Sequence, residues 1–365
     1  MRKYLKYLVL LILTAIFFWW FAHNLKWAEV SQSLSKSDWR LVAAAAAIIS
    51  AGYLVRAFRW RTLLSPITPT RLRELFAATT MGFSSVFLFG RAGEVVRPVV
   101  LPLRDERVRP AASFVTIMVE RLCDMVAVIM LFAINLLWFS PYRHAEEFAQ
   151  VRKGGFLLLL GVGLALVFLA WFRRSSERTI RWLDGKLARW SFIPPRLRHL
   201  ATHVLEQLAK ALSIFTNLRT LAVTVAWTTA LWLAVMVSTW LVMRAFGLVP
   251  RMKDAMFVMG WALVGSLVPT PGGGAGGFHA ITKYGLTTFI GVEENQAAAI
   301  AIVLNLVYFA PALLFGLYYF LKSDVSIARL RQLTSTEAVE HAVEDEEIEL
   351  SVAPDKELEP AAETR

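Results

Sequence analysis

Cysteine is all but missing: Cys123 is the only one in 365 residues. A single thiol excludes an internal disulfide framework and a thiolate metal site. In its apolar run it reads as a small packing residue. Charge is scarce as well. Lys, Arg, Asp and Glu make up 18% of the chain, where an ordinary soluble domain has roughly a quarter. No G-x-S-x-G nucleophile motif occurs, and no nucleic-acid-binding motif accompanies the basic charge. What is present is apolar: 56% hydrophobic residues, 24 Phe, 13 Trp and a mean hydropathy of +0.51. That composition excludes a soluble domain and a disordered chain, and fits an all-α polytopic membrane protein.

Acidic residues are missing from most of the chain. Thr336 to Arg365 holds 11 of the 28 acids, so the other 335 residues carry a net charge of +20 hidden under an overall +11. A basic membrane body suits cytoplasmic loops and anionic lipid headgroups.

A span needs about 20 apolar residues to cross about 30 Å of hydrocarbon. Leu5 to Ala22 is the first, read as a retained span because aromatics occupy the place where a cleavage site would need small residues. Trp39 to Phe58 follows, ending in Arg56, Arg59 and Arg61. Glu74 to Pro102 is apolar, broken by Gly90-Arg-Ala-Gly-Glu94, and bracketed by arginines at both ends. It reads as a re-entrant hairpin from the cytoplasmic face. Ala111 to Phe139 leads outward and Gly154 to Phe172 returns. Residues 173–219, with ten basic and three acidic residues, read as two amphipathic surface helices separated by Pro194 and Pro195. Thr220 to Phe246 crosses outward, Ala255 to Ile290 forms an outer hairpin broken at Pro269 to Gly277, and Gln296 to Leu321 crosses inward.

The expectation is six full spans and two opposed re-entrant helical hairpins in a membrane domain 1–322, with an acidic, disordered tail over 323–365. Both termini fall in the cytoplasm. The order of elements repeats upside down, as in transporters built from inverted repeats.

Ionisable groups inside spans are expensive and are functional candidates. Arg56 and Arg59 read either as interface anchors or as lipid phosphate ligands. Arg91, Glu94 and Arg97 flank the first break, with Arg97 placed to pair with Glu94 three residues earlier. Glu120, Arg121 and Asp124 lie roughly 15–20 Å along the long helix. The two carboxylates share a face and need cations, for which Arg91, Arg97 and Arg121 are the nearest choices. They read as a structural ion network or as a coupling or gating site. Around the second break, Gly272, Gly273 and Gly274 offer backbone N–H donors, with His279 and Lys283 on one face of the helix that follows, making an anion cradle.

Four segments in order carry a resemblance: R-x-x-R-W-x-x-L-L from Arg56, F-G-R-A-G-E-x-x-R-P from Phe89, E-R-x-x-D from Glu120 and P-T-P-G-G-G-A-G-G from Pro269. Together they resemble the flippase-like membrane domain of lysylphosphatidylglycerol synthases over about residues 5 to 322. The resemblance implies lipid translocation across a prokaryotic cytoplasmic membrane. It does not carry synthase activity over, because the aminoacyl-transferase domain of the two-part members has no counterpart in the tail. Many members have Glu shortly after the glycine row, where this chain has His279. The expected partner is an anionic or lipid-linked phosphate substrate in the membrane. A second copy or a separate synthase is a further candidate partner. No enzyme activity, cofactor, metal or nucleic acid is expected. An accessory subunit of a lipid- or glycan-modifying enzyme, or an enzyme acting on a headgroup, are the alternatives.

Overall fold

A computed structural model describes Trp19 and residues 25–189, 218–268 and 271–322. The expected first span, most of the second amphipathic surface helix and the acidic tail lie outside these residues, as do Pro194, Pro195, Pro269 and Thr270. Among the described residues every regular element is helical. Four helices are long and apolar enough to cross a membrane: Trp39–Leu64, Ala145–Leu169, Leu218–Ala245 and Glu294–Leu321. The protein is an all-α polytopic membrane protein.

A short helix α1 (Trp27–Ser35) precedes α2 (Trp39–Leu64), whose N-terminus is capped by the Asp38 carboxylate accepting from Arg40 N at 2.9 Å. The alanine run of α2 lets α7 (Leu218–Ala245) come close: Ser238 donates across the interface to the Ala45 carbonyl at 3.2 Å. Small residues at a helix contact replace the hydrophobic drive that lipid does not supply.

The first broken segment is a hairpin. Helix α3 (Leu72–Phe89) ends at Gly90, a tight 3-10 segment Gly90–Val95 turns the chain, and α4 (Val96–Arg104) runs back along α3. Gly90 has φ 65° and ψ −150°, a conformation closed to residues with a Cβ. The two open ends of the hairpin are tied by Arg104 Nε donating to Glu74 Oε2 at 2.7 Å. Hence both arms start and finish at one end of the bundle.

The loop that leads on to α5 (Pro110–Trp138) is closed by Asp105, which accepts from Arg107 Nε and Nη2, each at 2.8 Å. These hydrogen bonds hold the Asp105 carboxyl below the ordinary aspartate range. A depressed native value stabilises the folded loop above the unfolded-state pKa and is lost as pH falls through the native one. The protection of the amides at residues 105–109, exchange measured against the intrinsic rate at each pH, is therefore expected to fall below about pH 4 in the wild type. In Asp105→Asn that protection is expected to be low and flat with pH.

Helix α5 has 29 residues, about 43 Å. It returns through α6 (Ala145–Arg189), two helices joined across a kink, where the sequence predicts a span followed by a separate surface helix. The kink falls at Ser175, whose φ −133° and ψ 24° are non-helical. No Gly or Pro lies there to end the helix, and Ser175 Oγ donates back to the Trp171 carbonyl at 2.9 Å, a bond that bends helices.

The second broken segment consists of α8 (Met252–Ser266), a single turn α9 (Pro271–Gly274), α10 (Gly277–Gly285) and a π segment Leu286–Ile290. Gly272, Gly274 and Gly276 all have φ between 74° and 88°. The break expected at Pro269 to Gly277 holds one turn, Pro271–Gly274, within which Gly272 and Gly274 have positive φ. Helix α11 (Glu294–Leu321) closes the bundle, capped by the Glu293 carboxylate accepting from Asn295 N and Gln296 N. Gly316 lets α11 lie directly on Ser84 and Thr80 of α3, and Ser84 donates to the Ala312 carbonyl at 2.7 Å.

Candidate functional site

Four helices bring one ion network together. Arg97 is the second residue of α4, Arg59 lies five residues before the end of α2, and Glu120 and Asp124 lie one turn apart on α5. Arg97 grips Glu120 as a fork, Nη1 to Oε1 at 2.6 Å and Nη2 to Oε2 at 2.9 Å. Arg59 grips Asp124 the same way, Nη1 to Oδ1 at 2.6 Å and Nη2 to Oδ2 at 2.9 Å. Arg59 Nη2 also lies 3.0 Å from Glu120 Oε1, and its Nη1 donates to Thr228 of α7 at 3.1 Å. Bidentate arginine–carboxylate pairs are the strongest ion pairs in both energy and geometry. Arg59 and Glu120 are 0% exposed, Arg97 2% and Asp124 7%. At that depth such charges persist only when paired and hydrogen-bonded.

Aromatic rings hold the arginines in place. The Arg97 guanidinium lies 4.2 Å from the Trp60 ring centroid, and Trp60 Nε1 donates to Thr116 of α5 at 3.0 Å. Gly82 of α3 sits under Arg97, where an added Cβ would come within 2.7 Å of the Arg97 Cβ. A second pair of arginines flanks Phe83: Arg56 at 4.7 Å and Arg121 at 5.4 Å from its ring centroid. Tyr53 meets Phe83 edge-on at 5.4 Å.

Of the predicted pairings, Arg97 with a carboxylate of α5 is found, and Arg97 with Glu94 is not. Arg97 does not pair with Glu94; it turns to Glu120, and Glu94 is exposed. The reason is local: Glu94 lies in the 3-10 segment and Arg97 in α4, so the spacing of a single helix does not relate them. Glu120 takes Arg59 and Arg97 as partners, while Arg121 lies over Phe83. The side chain of Arg91 lies outside the described residues, although its backbone belongs to the 3-10 turn. Lys283 Nζ donates to Glu294 Oε1 at 3.0 Å, at the first turn of α11. His279 stays at the glycine row, half-buried, with Nδ1 accepting from Gly276 N at 3.3 Å. Of the glycines, Gly272 and Gly274 supply left-handed turns, and Gly274 lies against the Ser266 backbone. The Gly273 backbone completes the α9 turn.

The two breaks meet. The α9 turn packs against α3 and against the 3-10 segment Gly90–Val95. The first break thus faces the second, with Arg97 two residues beyond it.

The sequence model of the transmembrane region of lysylphosphatidylglycerol synthases matches residues 7–316. The chain belongs to that family. Both broken segments and all four arginines of the site fall inside the matched stretch, as do the residues between them that lie outside the description. No curated protein matches the chain by sequence. Sequence reasoning passed over Thr228, Thr116, Phe83 and Tyr53 as neighbours of the arginines. Thr and Phe inside an apolar helix carry no signal of their own; only the packing of α3, α5 and α7 on α2 brings them to the arginines.

Proposed function

We propose that this protein moves an anionic lipid, a phospholipid or a lipid-linked phosphate, across the cytoplasmic membrane of a prokaryote. The observation that carries the reading is the buried network of Arg59, Arg97, Glu120 and Asp124, with Arg56 and Arg121 beside it, inside a membrane-spanning bundle where two helix breaks meet. Intramembrane charge at a broken helix is the recurring construction of transporter sites. In this reading the two hairpins are re-entrant from opposite faces. Arg61, Arg71, Arg73, Arg104, Arg107 and Arg109, which gather where α2 and α4 end and α3 and α5 begin, face the cytoplasm.

An inverted repeat is part of the reading. It matches α2, α3, α4 and α5 to α7, α8, α10 and α11, in that order. The packing supports it: α2 with α3 answers α7 with α8, α3 with α4 answers α8 with α10, and α4 with α5 answers α10 with α11. Across the sets, α3 with α11 answers α8 with α5, and the equivalent helices α2 and α7 pack on each other.

Purified protein in vesicles is expected to speed transbilayer movement of labelled phosphatidylglycerol or phosphatidate, read by chemical quenching of the outer leaflet. Glu120→Gln should slow it by about tenfold or more. No acceleration with these lipids, an aminoacylated lipid or a polyprenyl phosphate would refute the reading, and conversion of any of them to a new species would replace it with an enzymatic one.

A further inference from the structure

The network at the first break is unbalanced. Four guanidiniums, of Arg56, Arg59, Arg97 and Arg121, surround two carboxylates, of Glu120 and Asp124. Arg59 and Arg97 are committed, each forked onto a carboxylate at 2.6 and 2.9 Å. Arg56 is not: its Nη1 stands 3.8 Å from Asp124 Oδ2, beyond hydrogen-bonding distance. Arg121 has no carboxylate within ion-pair distance among the described residues. Both rest on Phe83 instead, and both are part-exposed, the Arg56 side chain at 13%. A ring face attracts a cation but supplies no counter-charge. Two positive charges are left over beside a membrane-spanning core, where uncompensated charge is costly.

Resting on the transport reading above, we propose that Arg56 and Arg121 form a two-pronged seat for the phosphate monoester headgroup of a lipid, with Phe83 between the prongs. A monoester carries about −1.5 to −2 at neutral pH and three acceptor oxygens, which matches the surplus of two charges. A phosphodiester such as phosphatidylglycerol brings only −1. An aminoacylated headgroup with an added ammonium adds to the surplus instead of cancelling it. Arginine forks suit phosphate oxygens in pairs. The assignment also separates two jobs that the sequence puts on one cluster: Arg59 and Arg97 hold the helices together, and Arg56 and Arg121 take the ligand.

The test is equilibrium binding to the full-length protein in detergent, by native mass spectrometry. Phosphatidate competes against phosphatidylmethanol, which differs by one methyl group and one charge. The wild type is expected to prefer phosphatidate by about tenfold. Arg56→Gln and Arg121→Gln should each erase most of that preference while unfolding at the wild-type temperature. Equal binding of the two lipids by the wild type overturns the seat whether or not the variants fold, as does an undiminished preference in both folded variants. Millimolar inorganic phosphate is expected to leave phosphatidate bound; full displacement would assign the site to free phosphate and overturn the lipid. Transbilayer movement without monoester preference refutes the seat and leaves the transport reading intact. Preference without movement refutes the transport reading alone.

Discussion

Arg59→Met is expected to cost about 3–5 kcal/mol of stability, the range for breaking one side of a buried ion pair. Arg59 is fully buried and serves Asp124, Glu120 and Thr228 at once, so its loss strips contacts from both α5 and α7. After the substitution Asp124 would face only Arg56, at 3.8 Å, and Glu120 only Arg97. The cost comes less from the lost attraction than from a carboxylate left buried with too little compensation. Two companion variants separate these effects. Asp124→Asn keeps the shape and an acceptor oxygen and leaves Arg59 paired with Glu120, so it should cost less than Arg59→Met. Joining Arg59→Met to Asp124→Leu removes the stranded charge and should recover part of the loss, which makes the pair strongly non-additive. Unfolding free energies from mixed-micelle denaturant titrations would measure all three. A loss below about 1 kcal/mol for Arg59→Met would place this arginine with surface ion pairs and against the buried network.

The helices of this fold were readable because hydropathy and length decide them, and the breaks because glycine and charge interrupt apolar sequence. The long helix from Pro110 to Trp138 matches the predicted Ala111 to Phe139 within one residue at each end. Pairing within the site was readable only in part: Arg97 was among the cations expected for the carboxylates of α5 and does fork onto Glu120, whereas Arg59 was not, since its pairing is a property of packing. Arg97 meets a carboxylate 23 residues away and Arg59 one that is 65 residues away. Helical spacing offered Arg97 a nearer partner in Glu94, and the 3-10 turn between them removed it. Lys283 shows the same limit from the other side. Its placement four residues from His279 is correct, and its Nζ reaches Glu294, beyond the π segment on the next helix, a contact that helical spacing does not foretell.

Gly93→Ala is expected to abolish transport and to cost at least the 1–3 kcal/mol typical of an overpacked site. A Cβ at Gly93 would run into the Ser85 carbonyl group and the Val86 amide nitrogen, all backbone of α3. Backbone inside a helix cannot swing aside as a flexible side chain does, so relief requires moving the 3-10 turn off α3. That turn feeds directly into α4, where Arg97 is the second residue, and it is also a surface on which the α9 turn rests. One methyl group therefore loosens the arginine fork on Glu120 and the contact between the two breaks together. Gly161→Ala and Gly163→Ala are the controls. No atom lies within 4 Å of a Cβ added at either position of α6. Each should leave transport unchanged and stabilise the helix by up to about 1 kcal/mol, the ordinary gain of alanine over glycine in a helix interior. A Gly93→Ala protein that transports at the wild-type rate would show that the close seating of the turn on α3 is not needed for the cycle, and would move the working site away from the first break.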